Sequence, residues 1–281
     1  MNWSRAKNLS IFLFVILNVA LLFLNYLDRR QYVLSPVSIQ AITTVLDRHH
    51  ISLASDFTFV DHVPLRQVGF DPFHISQNFL ANVLMIDHTN LSIETLETGE
   101  TRFFNAYEEV VFLDGYARYR NLGNDSLQIH AYQDARLFAA NVLSALGDVG
   151  RYFVLDRSFS WDNGFQLEYR QLYRNTIIYS NFISFTFLND TLDTIRFDYQ
   201  RVNGFIGNAR ELRSGDEVLL TFMRATHGEV HLLEMDLVYK NISLVGAPHY
   251  RILYRQENGH YYTLLINAFT NVVSHREGVR Y

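Results

Sequence analysis

The strongest hydrophobic pattern in the chain is an uninterrupted apolar segment near its start. Leu9 to Leu27 reads LSIFLFVILNVALLFLNYL, 19 residues without a formal charge. At the helical rise of about 1.5 Å per residue such a segment spans roughly 28 Å, close to the hydrocarbon thickness of a bilayer. Apolar residues lie all round this helix, whereas a core helix of a globular domain has a polar face. The pattern predicts a transmembrane helix over 9–27, preceded by a short N-terminal segment over 1–8.

A cleaved signal peptide is the alternative interpretation of this segment. Signal peptides have a shorter apolar core and a cleavage site of the small-x-small type, and the stretch NYLDRRQYV after Leu24 offers no such site. The sequence therefore favours an uncleaved, single-pass anchor. Its orientation is weakly encoded, because Arg5 and Lys7 on one side are nearly balanced by Arg29 and Arg30 on the other.

One face of the predicted helix carries two amides. Asn18 lies at mid-span, Asn25 follows seven residues later, and both share a face with Ile11. A carboxamide in hydrocarbon needs a hydrogen-bond partner, which a second membrane helix can supply. Ile11, Asn18 and Asn25 are thus a candidate contact site for a partner helix. The alternative is that Asn18 bonds its own backbone and Asn25 lies at the membrane interface.

The rest of the chain alternates between helical and strand-like periodicity. Ser35 and Pro36 are an N-cap and first-turn pair that predicts a helix ending near His49. Residues 56–130 are mostly strand-like, with a hairpin turn at Asp114-Gly115, although 79–86 fits either a helix or a strand. A helix then covers 135–146, followed by strands over 151–157, 164–174, 176–187 and 191–200.

The same order of elements is then repeated. Ser214 caps a short helix, strands follow at about 229–241, 249–256 and 260–268, and Asn258-Gly259 predicts a two-residue type I′ turn between the last two. We expect an α+β fold, in which the membrane helix is followed by antiparallel sheets with helices packed on one face. The predicted parts are a juxtamembrane helix and β-rich module over 28–130, and two related α+β modules over about 131–205 and 210–281.

Composition and charge exclude several classes of protein. The chain has 281 residues, 48% of them hydrophobic, which supports a packed core. It has no cysteine, so disulfides, thiolate metal sites and cysteine nucleophiles are excluded. The net charge is −5, and after residue 30 the chain holds 20 basic and 28 acidic residues. This acidic balance predicts that nucleic acid is not a partner.

Motifs for catalysis are scarce. The sequence contains no P-loop, Gly-x-Gly-x-x-Gly, His-Glu-x-x-His or Gly-x-Ser-x-Gly motif, and no cofactor is predicted. The best metal candidate is the run from His227 to His231, because His227, Glu229 and His231 would share one face of a strand and could bind zinc. Against this, Gly228 is a turn-prone position, and alternate polar residues occur on any solvent-facing strand, so the sequence predicts no metal site.

Three parts of the chain resemble the YycI family, which has YycH as its relative. The start, Met1–Lys7, is similar to the family's opening Met-Asp-Trp-Ser-Lys. Gln171–Ile178 is similar to its Gln-x-Tyr-x-Gly-x-Pro-Ile strand pair. The C-terminal part resembles the family's Leu-Gly-Tyr, Pro-x-Trp-Arg-Ile and Tyr-x-x-Asn-Ala-x-Thr-Gly-Glu segments, at Asp236–Tyr239, Pro248–Ile252 and Tyr261–Val272.

The sequence departs from the family pattern at five positions. Asn2 replaces Asp, Asn175 replaces Gly, Ile177 replaces Pro, Tyr250 replaces Trp and Asn271 replaces Gly. The last change is physically mild, because Asn tolerates the left-handed conformation of such a turn. The likeness is strong in the anchor and the last third of the chain, whereas residues 50–130 match only in kind.

The resemblance implies a membrane-anchored, non-enzymatic regulator in a Gram-positive bacterium. Such a protein has a cytoplasmic N-terminus and an extracellular α+β domain, and it acts with a YycH-like protein on a WalK-type sensor histidine kinase that controls cell-wall metabolism. Two other classes stay open at this point: a membrane-tethered extracytoplasmic metal-binding protein or hydrolase, and, by fold analogy, an inhibitory module like those that accompany secreted proteases.

Overall fold

The fold is described from a computed structural model, which covers residues 3–71, 75–113, 116–123, 128–129 and 131–279. Helices and a large antiparallel sheet confirm the predicted α+β class. The helices are α1 Trp3–Arg30, α2 Pro36–Arg48, α3 Gln77–Leu84, α4 Tyr132–Ala145 and α5 Gly215–Ala225, and a 3₁₀ turn covers Gly150–Tyr152. The strands are β1 Ile51–Leu53, β2 Leu65–Asp71, β3 Ser92–Thr95, β4 Thr101–Phe104, β5 Glu108–Leu113, β6 Tyr116–Asn121, β7 Phe153–Trp161, β8 Gly164–Tyr173, β9 Thr176–Leu188, β10 Thr191–Asp198, β11 Arg201–Arg210, β12 Val230–Ile242, β13 Val245–Gln256, β14 Tyr261–Asn267 and β15 Val273–Val279.

Tertiary contacts divide the chain into two units. The first unit comprises the described residues of Met1–Leu65, Ala209–Asp236 and Tyr250–Arg280. The second comprises those of Arg66–Asn208 and Leu237–His249, so β12 and β13 each contribute residues to both units. The modules predicted at 28–130, 131–205 and 210–281 are defined by sequence pattern, and they stay predictions.

The second unit is organised around β9. This 13-residue strand pairs antiparallel with β8 along one edge and with β10 along the other. Beyond β10 the antiparallel order continues through β6, β5, β4 and β3. The turns Arg174-Asn175 and Asn189-Asp190, which join β9 to its neighbours, have φ values between 47° and 64°. Two successive residues with positive φ are what a type I′ hairpin turn requires.

The core of the second unit lies between this sheet and two helices. Alternate strand residues point to one face and pack with α3 and α4. Phe138 of α4, for example, lies edge-on to Phe185 and Phe187 of β9, with ring centroids 6.0 and 6.3 Å away. This arrangement matches the prediction of helices packed on one face of an antiparallel sheet.

A glycine fixes the path of the chain after α4. Gly150 is buried against the end of this helix, and a Cβ atom built on it would lie 1.8 Å from the carbonyl oxygen of Leu143. The close approach allows the following 3₁₀ turn to present Arg151 and Tyr152 at the surface of the unit.

The first unit contains the predicted helices around Ser35 and Ser214. Ser35 Oγ accepts a hydrogen bond from the Ser38 backbone N–H at 3.1 Å, and Pro36 is the first helical residue, so the predicted cap is confirmed. Helix α2 packs on α5 and β1, and α5 packs on β14 and β15. Phe222 of α5 is fully buried, with its ring centroid 5.1 Å from that of Tyr254 on β13.

Several local predictions are corrected by the structure. Residues 77–84 are helical, which resolves the ambiguity at 79–86. Strands β11 and β15 were not predicted, because RVNGFIGNAR and VSHREGV lack apolar alternation; β15 is paired with β14 through its backbone. The predicted hairpin turn at Asp114-Gly115 lies outside the described residues.

The predicted type I′ turn at Asn258-Gly259 is wrong. Gly259 has a φ of +79°, but Asn258 does not have a positive φ. The Gly259 N–H donates to the Gln256 oxygen at 2.9 Å, and the Gln256 N–H donates to the His260 oxygen at 3.1 Å. The loop is therefore one residue longer, with a turn followed by a left-handed glycine.

The contact of Gly150 with α4 predicts a large effect of a single methyl group. Gly150→Ala should destabilise the protein by about 1–3 kcal/mol, because the new Cβ overlaps a backbone oxygen that cannot rotate away. Thermal unfolding of the full chain in detergent micelles measures this loss. The matched control is Ser144→Ala at an exposed position of α4, where alanine is a good helix former. An equal unfolding temperature for both variants would contradict the described packing.

The end of β10 predicts a pH-dependent effect. Burial raises the pKa of Asp198 to about 6, against 3.8 ordinarily, and the backbone hydrogen bond to Tyr199 only partly opposes this. The folded state therefore holds a proton that the unfolded state releases between these values, so stability falls as pH rises through the window. Asp198→Asn should raise the unfolding temperature at pH 7 and leave it unchanged near pH 3.5. A gain of the same size at both pH values would disprove this explanation.

Candidate functional site

The N-terminal helix α1 has the dimensions of a membrane span. Its 28 residues extend about 42 Å at the usual helical rise. Lys7–Leu24 is an apolar stretch of 18 residues, none of which is buried inside the structure. Among the residues that the structure describes, this is the one helix long and apolar enough to cross a bilayer.

The far end of this helix has the residues expected at a membrane interface. The guanidinium carbon of Arg30 lies 5.1 Å from the centroid of the Tyr26 ring, and both side chains are exposed. Aromatic and cationic side chains favour the headgroup level, where one part contacts lipid and the other contacts water. The apolar segment is thus followed by an interfacial pair before α2 begins at Pro36.

The geometry of Asn18 bears on its two interpretations. Its Nδ2 atom donates a hydrogen bond to the carbonyl oxygen of Phe14, at 2.8 Å and one helical turn away. One N–H is therefore used within the helix, while a carboxamide has a second N–H and an oxygen with which to bond a neighbouring helix. Ile11 lies on the same face and is 53% exposed. The side chain of Asn25 lies outside the described residues, so the three-residue contact site stays a prediction.

The candidate zinc ligands do not share a strand face. Strand β12 begins at Val230, after a bend at Gly228 with a φ of +80°, so His227 and Glu229 precede it. His231 Nδ1 lies 2.8 Å from Ser52 Oγ on the adjacent parallel strand β1. Within the described ranges, no group of three or more His, Asp or Glu side chains is placed to hold a metal ion.

The surroundings of His231 form an open polar groove in the first unit. Its volume is about 580 Å³, and it is lined by acidic, basic and imidazole side chains that include His50, Glu229, Arg255 and Glu257. A serine–histidine pair catalyses best where water is excluded and a third group orients the imidazole. Ser52 is exposed to solvent. The groove therefore lacks the exclusion of water that favours such catalysis.

A second cavity was not predicted from the sequence. A cleft of about 780 Å³ in the second unit is lined by Arg151, Arg174, Arg201, Tyr173 and Tyr199, among others. These residues come from the 3₁₀ turn, the β8–β9 hairpin, the end of β10 and the start of β11. No single motif reveals them, because only the fold brings these separated positions together; the one local signal is that Arg151 and Arg174 each have a tyrosine as a sequence neighbour.

Comparisons with known proteins establish the fold but no family. No family model matches the chain, and no curated protein matches its sequence. An uncharacterized protein from Eubacterium rectale has a similar structure, with a TM-score of 0.53 and 11% identity over 86% of this chain and 99% of that chain. This likeness shows a shared fold.

Two further solved structures are similar at TM-scores below 0.5, and we draw no conclusion from them. The C-terminal domain of YpeB from Bacillus megaterium has a TM-score of 0.41 and 12% identity, over 74% of this chain and 99% of that chain. YycH from Bacillus subtilis has a TM-score of 0.44 and 17% identity, over 72% of this chain and 53% of that chain. The comparisons thus assign an α+β fold that is also found in a protein of uncharacterized function.

Proposed function

We propose that this chain is a membrane-anchored extracytoplasmic regulator, which binds a WalK-type sensor histidine kinase together with a YycH-like protein and so affects cell-wall metabolism. The observation that carries the proposal is α1, an apolar helix of membrane length that no part of the described protein covers. In the proposed topology, α1 crosses the cell membrane once, residues 1–8 are cytoplasmic, and the α+β units are extracellular.

The identity of the partners is supported by the sequence resemblance to the YycI family. Two of the departures from the family pattern replace glycine by asparagine, at Asn175 and Asn271. Their φ values are +64° and +56°, in the left-handed region that glycine adopts freely and asparagine tolerates better than most residues. These two substitutions are therefore compatible with the backbone that the family pattern implies.

The membrane helix suggests how such a regulator acts. A sensor kinase switches between two arrangements of its helices, and a partner alters its output only if it binds these arrangements unequally. A coupling of about 1–3 kcal/mol is usual for regulation of this kind. Helix α1 can supply that difference through the face with Ile11 and Asn18, because the amide still has hydrogen-bonding capacity at mid-span.

We expect Asn18→Leu to weaken association with the kinase or the YycH-like protein. Loss of one interhelical hydrogen bond costs about 0.6 kcal/mol, or roughly threefold in affinity. Co-purification from detergent-solubilised membranes, or a bacterial two-hybrid assay, measures the change. Leu17→Ile is the matched control, since it keeps an apolar side chain on the neighbouring position of the helix.

Two results would contradict this account. Equal association of the Asn18→Leu and Leu17→Ile variants would remove the amide from the contact and leave the intrahelical bond to Phe14 as its whole role. Absence of any sensor kinase from material co-purified with the unaltered full chain would refute the proposed function itself.

A further inference from the structure

The cleft in the second unit has a charge opposite to that of the chain as a whole. Of the described residues that line it, three are arginines and one, Asp148, is acidic. The chain carries a formal net charge of −5. Local charge of this sign in an acidic protein attracts anions, and the walls of a cleft strengthen the attraction by excluding water.

The arginines form an accessible rim. Arg151, Arg174 and Arg201 are all exposed and come from separate segments. Guanidinium groups present several N–H donors in a planar fork, which matches the oxygens of a phosphate or carboxylate group. Three such groups around one opening can therefore bind an oxyanion from several directions.

Aromatic rings hold two of these guanidinium groups in place. The Arg174 guanidinium carbon lies 5.2 Å from the centroid of the Phe205 ring and 5.9 Å from that of Tyr173. That of Arg151 lies 5.2 Å from the centroid of the Tyr152 ring. A guanidinium stacked on a ring keeps its N–H edges directed outward, so little side-chain entropy is lost when an anion binds.

Asp148 does not cancel the charge of Arg151. Asp148 Oδ1 lies 3.0 Å from Arg151 Nη1, but its side chain is 92% exposed. Solvent-exposed ion pairs of this kind contribute little, because both groups stay hydrated. An incoming anion can therefore replace Asp148 at Arg151.

The floor of the cleft is buried and polar. Gln171 is 5% exposed, and its Oε1 atom accepts a hydrogen bond from Asn181 Nδ2 at 2.6 Å. Asn181 is itself fully buried and bonded to the backbone of Gln200. This network fixes the Gln171 amide at the wall of the cleft. Tyr199 adds a buried ring whose pKa is raised by burial, so the phenol stays uncharged beside an anion.

We propose that this cleft binds a small organic phosphate, with the phosphate group held by Arg151, Arg174 and Arg201 and the organic part filling the remaining space of the cleft beside Tyr173. The volume of about 780 Å³ lies in the range of small-molecule sites and is far larger than a phosphate ion needs. The proposal does not depend on the kinase interaction proposed above.

Isothermal titration calorimetry of the full chain in detergent micelles tests this site with three probes: glucose 6-phosphate, inorganic phosphate and glucose. We expect glucose 6-phosphate to bind more tightly than inorganic phosphate and glucose not to bind. Raising the salt concentration should weaken binding of both phosphates, since exposed guanidinium groups provide the attraction.

Substitutions locate the binding at the cleft. The triple variant Arg151→Gln, Arg174→Gln and Arg201→Gln should weaken glucose 6-phosphate binding by at least about tenfold, the factor expected when a charge-assisted hydrogen bond is lost. Arg174→Gln alone should weaken it measurably, which keeps the test valid if the triple variant is unstable. The control is Arg66→Gln, an exposed position on β2 in the same unit but outside the cleft, which should leave the affinity unchanged.

Three outcomes would overturn the assignment. The first is no binding of either phosphate, and the second is equal binding by the Arg174→Gln and Arg66→Gln variants of normal stability. The third is tight binding of an acidic peptide in the absence of phosphate binding, which would make the cleft a protein-docking site instead.

Discussion

The structure depends first on the need to cover an apolar surface. Within α1, the residues from Leu9 to Leu24 are predominantly apolar on all sides, and none of them is buried against the described protein. Each large apolar side chain left in water costs about 1.5–3 kcal/mol, so a stretch of this length is stable only in another apolar medium. A bilayer supplies that medium, and it also requires the helical conformation, because backbone groups in hydrocarbon must bond within the segment.

The anchor also determines where α2 lies. The interfacial pair Tyr26 and Arg30 is followed after only five residues by α2, whose N-terminus is capped by Ser35. A short connection of this kind keeps the start of α2 close to the membrane surface. Regulation through α1 and ligand binding in the cleft of the second unit are separate hypotheses, each based on its own residues and each open to its own test.

The sequence predicts elements with strong local signals and misses those that depend on tertiary pairing. The helices around Ser35, Ala135 and Ser214 follow from periodicity, and the structure contains all three. The predicted side-chain cap forms at Ser35, whereas the Ser214 side chain makes no capping hydrogen bond. Strand β15 has no apolar alternation, so only its partner β14 determines its conformation. The turn at Gly259 was mispredicted for a related reason: an Asn-Gly pair favours type I′ geometry, but loop length decides the turn type.

The candidate sites also include some features that the sequence predicts and others that only the fold creates. The mid-span position of Asn18 can be read from the sequence, whereas its bond to Phe14 cannot, because periodicity does not give a side-chain rotamer. The candidate zinc ligands do not share a strand face, because the positive φ of Gly228 interrupts the extended backbone on which alternation depends. The arginine cleft was not predicted, since Arg151, Arg174 and Arg201 are brought together only by the fold.

Site-specific photo-crosslinking in intact membranes tests the central claim most directly. A photoreactive residue placed at Ile11 lies on the face of Asn18, and one at Leu13 lies about 200° away on the same helix. The account predicts that the mature membrane-bound protein retains α1, and that Ile11 captures a sensor kinase or a YycH-like protein more efficiently than Leu13 does. A mature chain that begins after Arg30, or equal capture from both positions, would contradict it.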